Sequence, residues 1–225
     1  MVWKIGCSTM GWNKSKYKTE QQVVLDLCKN KIDCVEVSGS YVISHSDVVC
    51  PYSIHANKYL LDWRKDDIIA YILMLRHACK SMQNIRIIMH PPTNYIIDYG
   101  FLHNICKGMT IGIETVSEAS FKTVEQLSEH VKCELAIDFS HVKRLNFSFD
   151  VLSKYPVCNV HLRGSCNGCY EYVRVMSVKS EIYHWLEFLL SINYSGALIL
   201  EYPYGSINEV FEDICYLDGV ISKIY

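Results

Sequence analysis

The chain has 225 residues, of which 50% are hydrophobic, and its formal net charge at pH 7 is −2. A chain of this length buries enough apolar surface for one or two domains. The near-neutral charge gives no bulk attraction to nucleic acid or anionic membranes, although a local basic patch remains compatible with it. The first residues lack the apolar core of a signal peptide and no stretch reaches the length of a membrane span, so we expect a soluble cytoplasmic protein.

Eight short apolar runs predict strands, and they are nearly continuous in apolar residues, as in parallel strands that are covered on both faces. The predicted strands cover residues 2–7, 33–37, 52–56, 85–89, 110–114, 135–138, 157–162 and 197–201. Helical periodicity predicts helices between them, over residues 19–31, 65–82, 120–131, 178–192 and 207–222. Ser206 and Glu209 have the spacing of a capping box before the last helix. The segments after the second, fourth and sixth strands look short or irregular.

Eight successive strand-then-helix units predict an α/β protein with a single (β/α)8 barrel that spans residues 1–225. The competing fold is a doubly wound open sheet, which usually carries a glycine-rich phosphate loop after an early strand. The sequence contains no such GxGxxG motif, and it shows no linker or low-complexity segment that would divide the chain. We therefore expect one barrel domain.

Eleven cysteines are present, most of them inside apolar runs or helices. Free cysteine behaves there as a small buried hydrophobic residue, and without a secretion signal we expect reduced thiols rather than disulfides. Cys166 and Cys169 form a CxxC motif in a predicted loop. Because no second pair has zinc-ribbon spacing, reduced thiols are favoured there over a structural zinc site.

Residues of metal-ligating types stand at or just past the ends of six predicted strands. They are His55, His90, Glu114, Asp138, His141, His161 and Glu201. A carboxylate or imidazole at the end of a buried strand is costly unless it binds something. The active sites of (β/α)8 barrels form at these carboxyl ends. Oxygen and imidazole ligands suit a divalent ion such as Zn²⁺, Mn²⁺, Mg²⁺ or Co²⁺, so the pattern predicts a metal-centred active site.

Four of the seven come from the fifth to eighth predicted strands, so their ends can converge on one ion and leave a position open for substrate. These are Glu114, Asp138, His161 and Glu201. Each of the seven also has a plainer interpretation. A single strand-end histidine such as His55 or His90 is more often a hydrogen-bonded rim residue than a ligand. Glu114 alone could be an ion-pair partner, and His141 could cap the loop after Asp138.

The order of the motifs resembles that of the xylose-isomerase-like TIM-barrel superfamily, which includes sugar and sugar-phosphate isomerases and epimerases, and endonuclease IV. The similarity spans essentially the whole chain. The motifs that carry it are, in order, KIGCS, DCVEVS, IHA, MHPP, GIET, IDFSH, VHLRG and INYSGALILEYP. Each is weak alone, whereas their order and spacing together are fairly specific to the superfamily and not to one activity.

The resemblance implies a metal site made of Glu114, Asp138, His161 and Glu201, in which the two glutamates also act as acid and base. In endonuclease IV, the equivalents of His55, His90 and Glu114 bind another zinc. The equivalent of His141 helps to bind a third zinc, together with an Asp-x-His motif after the seventh strand. That motif is missing here, where the stretch reads RGSCNGCYEYVRV.

Our first functional hypothesis is a metal-dependent isomerase or epimerase of a small sugar or sugar phosphate, with proton transfer next to a carbonyl. In it, His55, His90 and His141 hold substrate hydroxyls or a second metal. Arg163 lies two residues beyond His161, and strand periodicity points both to the same side. Arg163 then binds a substrate phosphate or carboxylate, or pairs with a rim acid. Glu36, in the recurrent "VE" position, is a second predicted substrate contact.

The alternative hypothesis is an endonuclease-IV-like phosphodiesterase that acts on abasic DNA. The histidines His55, His90 and His141 favour it, and Lys143, Arg144, Arg163 and Arg174 could form a small basic cluster near the site. The missing Asp-x-His motif and the lack of basic charge disfavour it, because binding to the phosphate backbone needs several positive contacts. A third hypothesis, a non-catalytic protein that keeps only the fold, is disfavoured by the intact ligand positions.

Overall fold

The computed structural model describes residues 3–9, 12, 19–44, 52–56, 65–78, 84–91, 103–165 and 172–224. The CxxC motif of Cys166 and Cys169 lies outside the described residues. None of the helices formed by the described residues is both long enough and apolar enough to cross a lipid bilayer.

Eight strands form a closed barrel, which confirms the predicted (β/α)8 fold. Their hydrogen-bonded order is β1-β10-β7-β6-β5-β4-β3-β2, and the pairs with a defined register are parallel. The barrel strands are β1 (Lys4–Ser8), β2 (Cys34–Ser38), β3 (Ser53–His55), β4 (Ile85–Met89), β5 (Met109–Glu114), β6 (Cys133–Asp138), β7 (Val157–Leu162) and β10 (Ala197–Leu200). Two further strands, β8 (Gly164–Ser165) and β9 (Tyr172–Val173), form a small antiparallel sheet that the sequence did not predict.

The helices follow the predicted order, with shifted ends. They are α1 (Glu20–Lys29), α2 (Gly39–Ser44), α3 (Lys65–Ala78), α4 (Ala119–Ser128), α5 (Phe139–Leu145), α6 (Phe149–Leu152), α7 (Lys179–Ser191) and α8 (Ile207–Ile224), with a 3₁₀ turn at Val175–Ser177. The segment after β6, predicted as short or irregular, consists of the two short helices α5 and α6.

Local capping explains where the helices begin and end. Thr19 and Gln22 form a capping box at the start of α1. Only half of the capping box predicted for α8 forms: the Ser206 hydroxyl accepts from the Glu209 amide at 3.4 Å. The Glu209 carboxylate instead accepts from the Gly205 amide at 2.7 Å, one residue earlier than the motif requires.

The chain divides into two compact units. The first unit comprises Met1–Val35, Asp138–Lys154 and Val160–Tyr225, and the second comprises Glu36–Ile137 and Tyr155–Asn159. In the second unit, β5 is buried along all six residues. Gly112 of β5 packs so closely that an added Cβ would lie 2.7 Å from both the Cys158 sulfur and the Ile88 side chain. The close packing of these two side chains, and not a need for backbone flexibility, therefore explains why a glycine occupies this position.

A buried polar group centred on Glu36 also lies in the second unit. Glu36 of β2 is fully buried. Its Oε2 accepts from the Ser53 hydroxyl at 2.8 Å and from the Asn159 side-chain amide at 2.9 Å. These bonds compensate for the loss of solvent around the carboxylate. They join β2, β3 and β7, so Glu36 has a structural role here, and the substrate contact expected for it stays a prediction.

We predict that Asn159→Leu lowers the free energy of unfolding by about 2–4 kcal/mol, because a buried carboxylate loses a donor without a change in side-chain volume. Urea unfolding followed by circular dichroism measures this loss. The control is Asn208→Leu at an exposed position of α8, which should stay within about 0.5 kcal/mol of wild type. Equal unfolding midpoints for the two variants would contradict the importance of the Glu36 group.

The cysteines with a described position are free thiols. Five are buried (Cys7, Cys34, Cys106, Cys133 and Cys158) and two are exposed (Cys28 and Cys215). Burial raises the pKa of the Cys106 thiol to about 11 and the pKa of the Cys158 thiol to about 12. Because the thiolate is the reactive form, a raised pKa keeps these side chains protonated and unreactive near neutral pH.

We predict that an alkylating reagent at pH 8 labels Cys28 and Cys215 about tenfold or more faster than Cys106 and Cys158 in the folded protein. Peptide mass mapping after timed quenching gives the rate at each site. In 6 M urea the four rates should converge, which serves as the control for intrinsic reactivity. Rapid labelling of Cys158 in the folded protein would show that the sheet around it opens.

Candidate active site at the carboxyl ends of the strands

Six of the seven predicted ligand-type residues lie at the carboxyl end of a barrel strand or directly after one, and His141 is the third residue of α5. They belong to two clusters, each within one unit. The histidine cluster, in the second unit, consists of His55, His90 and Glu114. The arginine cluster, in the first unit, consists of Asp138, His141, His161, Arg163 and Glu201.

The histidine cluster places two imidazoles on one carboxylate oxygen. Glu114 Oε2 lies 2.9 Å from His90 Nε2 and 3.5 Å from His55 Nε2. The two rings meet edge to face, with centroids 5.9 Å apart. Glu114 and His55 are buried, whereas the His90 side chain is 22% exposed. These three groups are close enough together to hold a metal ion.

A backbone carbonyl fixes the tautomer of neutral His55. Its Nδ1 lies 3.0 Å from the Ala56 carbonyl oxygen, which can only accept, so the proton is on Nδ1. In the neutral ring, the Nε2 lone pair then faces the Glu114 carboxylate, and two acceptors repel unless a cation or a proton lies between them. A backbone partner of this kind is typical of metal-binding histidines. The donor set of the histidine cluster therefore fits a divalent cation.

Asp138 uses one oxygen to begin a helix. Its Oδ1 accepts from the Ser140 amide at 2.8 Å, the Ser140 hydroxyl at 2.7 Å and the His141 amide at 3.3 Å, as the N-cap of α5. Aspartate is a favoured N-cap because its carboxylate satisfies amides that lack a partner inside the helix. The other oxygen, Oδ2, is thereby turned toward Arg163.

Arg163 joins the two acids of the arginine cluster. Its Nη2 donates to Asp138 Oδ2, its Nη1 lies 3.3 Å from Glu201 Oε2, and its Nε donates to the Ser140 hydroxyl at 3.0 Å. The residue is 6% exposed. Two roles were expected for Arg163 from the sequence, and the structure shows one of them, the ion pair with acids at the rim of the barrel.

Glu201 also approaches a histidine of the neighbouring strand. His161 of β7 is fully buried, and its Nδ1 lies 3.1 Å from Glu201 Oε2. Strand pairing sets this proximity, because the Glu201 amide donates to the Leu162 carbonyl at 3.3 Å. Imidazole and carboxylate are thus both presented at the ends of adjacent strands, as the sequence predicted.

His141 has a different environment from the other histidines. Its Nδ1 lies 2.6 Å from Arg144 Nη2, and the single acceptor nitrogen of a neutral ring can accept from only one of Arg144 and Arg163. Nε2 lies 3.5 Å from Asp138 Oδ2 and 3.1 Å from Arg163 Nη2. A ring between two guanidinium groups is a poor ligand for a further cation, which argues against His141 as a metal ligand.

The four basic residues expected to form a cluster are engaged with partners in the first unit. Lys143 pairs with Glu181 at 2.6 Å, and Arg174 pairs with Asp213 at 3.0 Å and with Glu212 at 2.9 Å. Arg144 and Arg163 make the contacts described above. These pairs neutralise much of the positive charge that a phosphate backbone would need.

Several residues of the site were missed at the level of sequence, and strand periodicity could have found two of them. Ser53 and Asn159 each lie two residues before a ligand-type histidine, so they share its side of the strand. Ser140 follows Asp138 at the spacing of a capped helix start. Asp213 of α8 is fully buried and accepts from the Tyr202 hydroxyl, which anchors the segment after Glu201. No local pattern identifies that last contact.

No protein-family model and no curated protein matches the sequence. Solved structures do match the fold. The chain is 11% identical to 3-keto-D-glucoside 4-epimerase, YcjR, from E. coli, with a TM-score of 0.66 over 97% of this chain and 100% of that one. It is 13% identical to D-psicose 3-epimerase, whose structure was determined in the presence of D-fructose, with a TM-score of 0.59 over 97% of each chain.

A third match is a xylose isomerase-like TIM-barrel protein from Mycobacterium smegmatis in complex with magnesium. It is 12% identical, with a TM-score of 0.56 over 94% of this chain and 79% of that one. At these identities the similarity concerns the fold. The chain therefore has the fold of the xylose-isomerase-like TIM barrels, as the order of its sequence motifs predicted.

Proposed function

We propose that the protein is a divalent-metal-dependent isomerase or epimerase that acts on a sugar or a sugar phosphate. The observation that carries this proposal is the burial of three carboxylates at strand ends: Glu114 is 2%, Asp138 0% and Glu201 9% exposed. Placing an anion out of water costs several kcal/mol unless a cation accompanies it. Within the described residues, Arg163 pairs with Asp138 and Glu201, whereas Glu114 faces the imidazoles of His55 and His90, and a divalent ion bound by these acids would add to that compensation.

The proposed ligands are Glu114, Asp138, His161 and Glu201. They end or follow β5, β6, β7 and β10, which are successive strands in the hydrogen-bonded order of the barrel. Carboxylate and imidazole donors suit Zn²⁺, Mn²⁺, Mg²⁺ or Co²⁺. A magnesium ion in a protein of the same fold supports a divalent ion here. His55 and His90 are proposed to orient Glu114, or to hold a second ion with it.

In the proposed reaction, the bound ion would polarise the substrate carbonyl and stabilise the charge that develops on its oxygen. One of Glu114 and Glu201 removes the proton from the carbon next to the carbonyl, and the other returns a proton. Burial keeps bulk water from the two carboxylates, which strengthens their interaction with a cation and with substrate hydroxyls. Arg163 and Glu36 remain the proposed substrate contacts.

The substrate class follows from the chemistry and from proteins of the same fold. Two of the matched structures are named as epimerases, one of a keto-glucoside and one of psicose. A buried set of carboxylates, beside basic residues that pair with acids in the described part of the chain, suits a small polyhydroxylated carbonyl compound better than a polyanion. We therefore place sugars and sugar phosphates first.

One observation favours the alternative, an endonuclease-IV-like phosphodiesterase for abasic DNA. The histidine cluster keeps both imidazoles on Glu114, and these are the three positions at which the sequence resemblance implies a zinc site of that enzyme. The placement of His141 between Arg144 and Arg163, and the acidic partners of Lys143 and Arg174, weaken this alternative. The test of function below therefore includes abasic DNA.

We predict that the protein binds a divalent ion and gains stability from it. After removal of metal with a chelator, Mn²⁺ or Zn²⁺ at about 100 times its Kd should add about 2.7 kcal/mol of stability and raise the Tm by roughly 5–10 °C. Calorimetric titration and thermal unfolding measure the two effects. His161→Ala should abolish most of the gain, whereas the control His184→Ala, at a 74% exposed side chain on α7, should preserve it.

We predict that the protein exchanges a substrate proton with solvent and that Glu201→Gln lowers this rate about 10²–10⁴-fold, because an amide cannot act as the acid or base. NMR in D₂O follows deuterium incorporation next to the carbonyl across ketopentoses, ketohexoses and their phosphates. The matched control is Glu187→Gln, whose side chain is 63% exposed on α7, and it should retain the wild-type rate.

The same preparations are tested on a duplex with one abasic site at physiological salt. Nicking that is lost in Glu201→Gln, without any sugar exchange, would replace the isomerase proposal with the phosphodiesterase. If the protein binds no metal and shows neither sugar proton exchange nor nicking of abasic DNA, both the isomerase and the phosphodiesterase proposals are wrong.

A further inference from the structure

We propose that Arg163 is a resident counter-cation, which holds the two carboxylates of the arginine cluster in the metal-free protein and must leave them before a divalent ion binds. This inference rests on the proposed function in so far as it concerns a metal at Asp138 and Glu201. Arg163 would then set the affinity of the site for metal, a role distinct from the substrate contact expected from the sequence.

Arg163 and a metal need the same oxygen of Asp138. Oδ1 already accepts three hydrogen bonds, from the Ser140 amide, the Ser140 hydroxyl and the His141 amide. These bonds begin α5, and a carboxylate oxygen with that many donors has little capacity left for a cation. Oδ2 is the oxygen that remains for a metal, and Arg163 Nη2 donates to it. Arginine and metal therefore compete for Oδ2 of Asp138.

The same competition occurs at Glu201. Its Oε2 lies 3.3 Å from Arg163 Nη1 and 3.1 Å from His161 Nδ1. A metal bound by Glu201 and His161 together would lie beside this oxygen, where the guanidinium now is. Two like charges at such a distance repel strongly when they are shielded from water. Arg163 is 6% exposed, so solvent screens little of this repulsion.

Arg163 also has a hydrogen bond to a group other than the two carboxylates. Its Nε donates to the Ser140 hydroxyl at 3.0 Å. Because the guanidinium is planar, it would have to turn as a unit about its bond to Ser140 to carry the two terminal nitrogens away from Asp138 and Glu201. The geometry allows an exchange between two arrangements, one with the guanidinium on the acids and one with the metal on them.

Arg163 would therefore stabilise the protein without metal and, by the same contacts, lower its affinity for metal. A ligand whose binding must displace a favourable interaction binds more weakly by the free energy of that interaction. Removing the guanidinium should therefore strengthen metal binding. The same removal leaves Asp138 and Glu201 buried without a cation, so it should destabilise the metal-free protein.

We predict that Arg163→Met binds Mn²⁺ or Zn²⁺ between about fivefold and 100-fold more tightly than wild type, as expected for a coupling of ordinary size. The same variant should unfold at a lower Tm without metal and should recover most of that loss when metal is added. Calorimetric titration and thermal unfolding of chelator-treated protein provide both readouts, and neither depends on activity.

The matched control is Arg144→Met, which removes the same charge beside His141 and leaves the contacts of Arg163 with Asp138 and Glu201 in place. It should keep the wild-type affinity for metal. Arg163→Lys retains a positive charge without the forked geometry and should bind metal with an affinity between those of wild type and Arg163→Met.

If Arg163→Met does not fold without metal, the wild-type protein itself provides the test. With ¹⁵N-labelled arginine, the side-chain Nη–H signals assigned through Arg163→Lys should shift, or exchange faster with solvent, when metal saturates the protein. Unchanged signals in the metal-saturated protein would overturn the proposal.

The outcomes separate this inference from the proposed function. Wild-type binding of metal together with equal or weaker binding by Arg163→Met overturns the counter-cation role and leaves the metal-dependent function intact. Failure of both proteins to bind any divalent ion overturns the proposed function and the inference with it.

Discussion

The structure depends on the compensation of carboxylates that are held away from water within barrel strands or at their carboxyl ends. Four acids illustrate it, each with a different solution. Glu36 receives hydrogen bonds from Ser53 and Asn159, Asp138 caps a helix and pairs with Arg163, Glu114 faces two imidazoles, and Glu201 lies between His161 and Arg163. A protein that needed only stability would gain from apolar residues at such positions. Retaining the acids makes sense where they bind a cation.

The fold could be predicted from the sequence because its signals are local and repeated. Runs such as residues 109–114 have only Thr110 and Glu114 as polar residues, and such nearly continuous apolar runs are typical of parallel strands covered on both faces. The ends of elements were less predictable, because short-range hydrogen bonds decide them. The pair formed by Glu209 with Gly205 instead of Ser206 is one example. The sheet of β8 and β9 joins two residues on each side and has no periodicity to detect.

The site was predictable in its residue types and positions, and less so in its contacts. Strand ends gave His55, His90 and Glu114, which the structure brings together within hydrogen-bonding range or nearly so. The partner of Arg163 could not be derived, since a ligand anion and a rim acid satisfy a guanidinium equally well. His141 likewise follows the expected motif, but its two arginine neighbours depend on the turn of α5 and on the path of the chain after β7. The sequence pattern can thus identify single residues of the site, whereas the contacts between those residues depend on the three-dimensional path of the chain.

Asp138 shows how one side chain can join the framework of the protein to its chemistry. Its Oδ1 belongs to the backbone architecture, because it begins α5, and its Oδ2 belongs to the site. The carboxylate therefore cannot swing as a free rim acid would, since rotation would uncap the helix. Because the junction between β6 and α5 is rigid, it fixes the position of this oxygen relative to the group that the oxygen binds. A barrel that takes its ligands from such junctions can keep a precise site even where the loops around it vary.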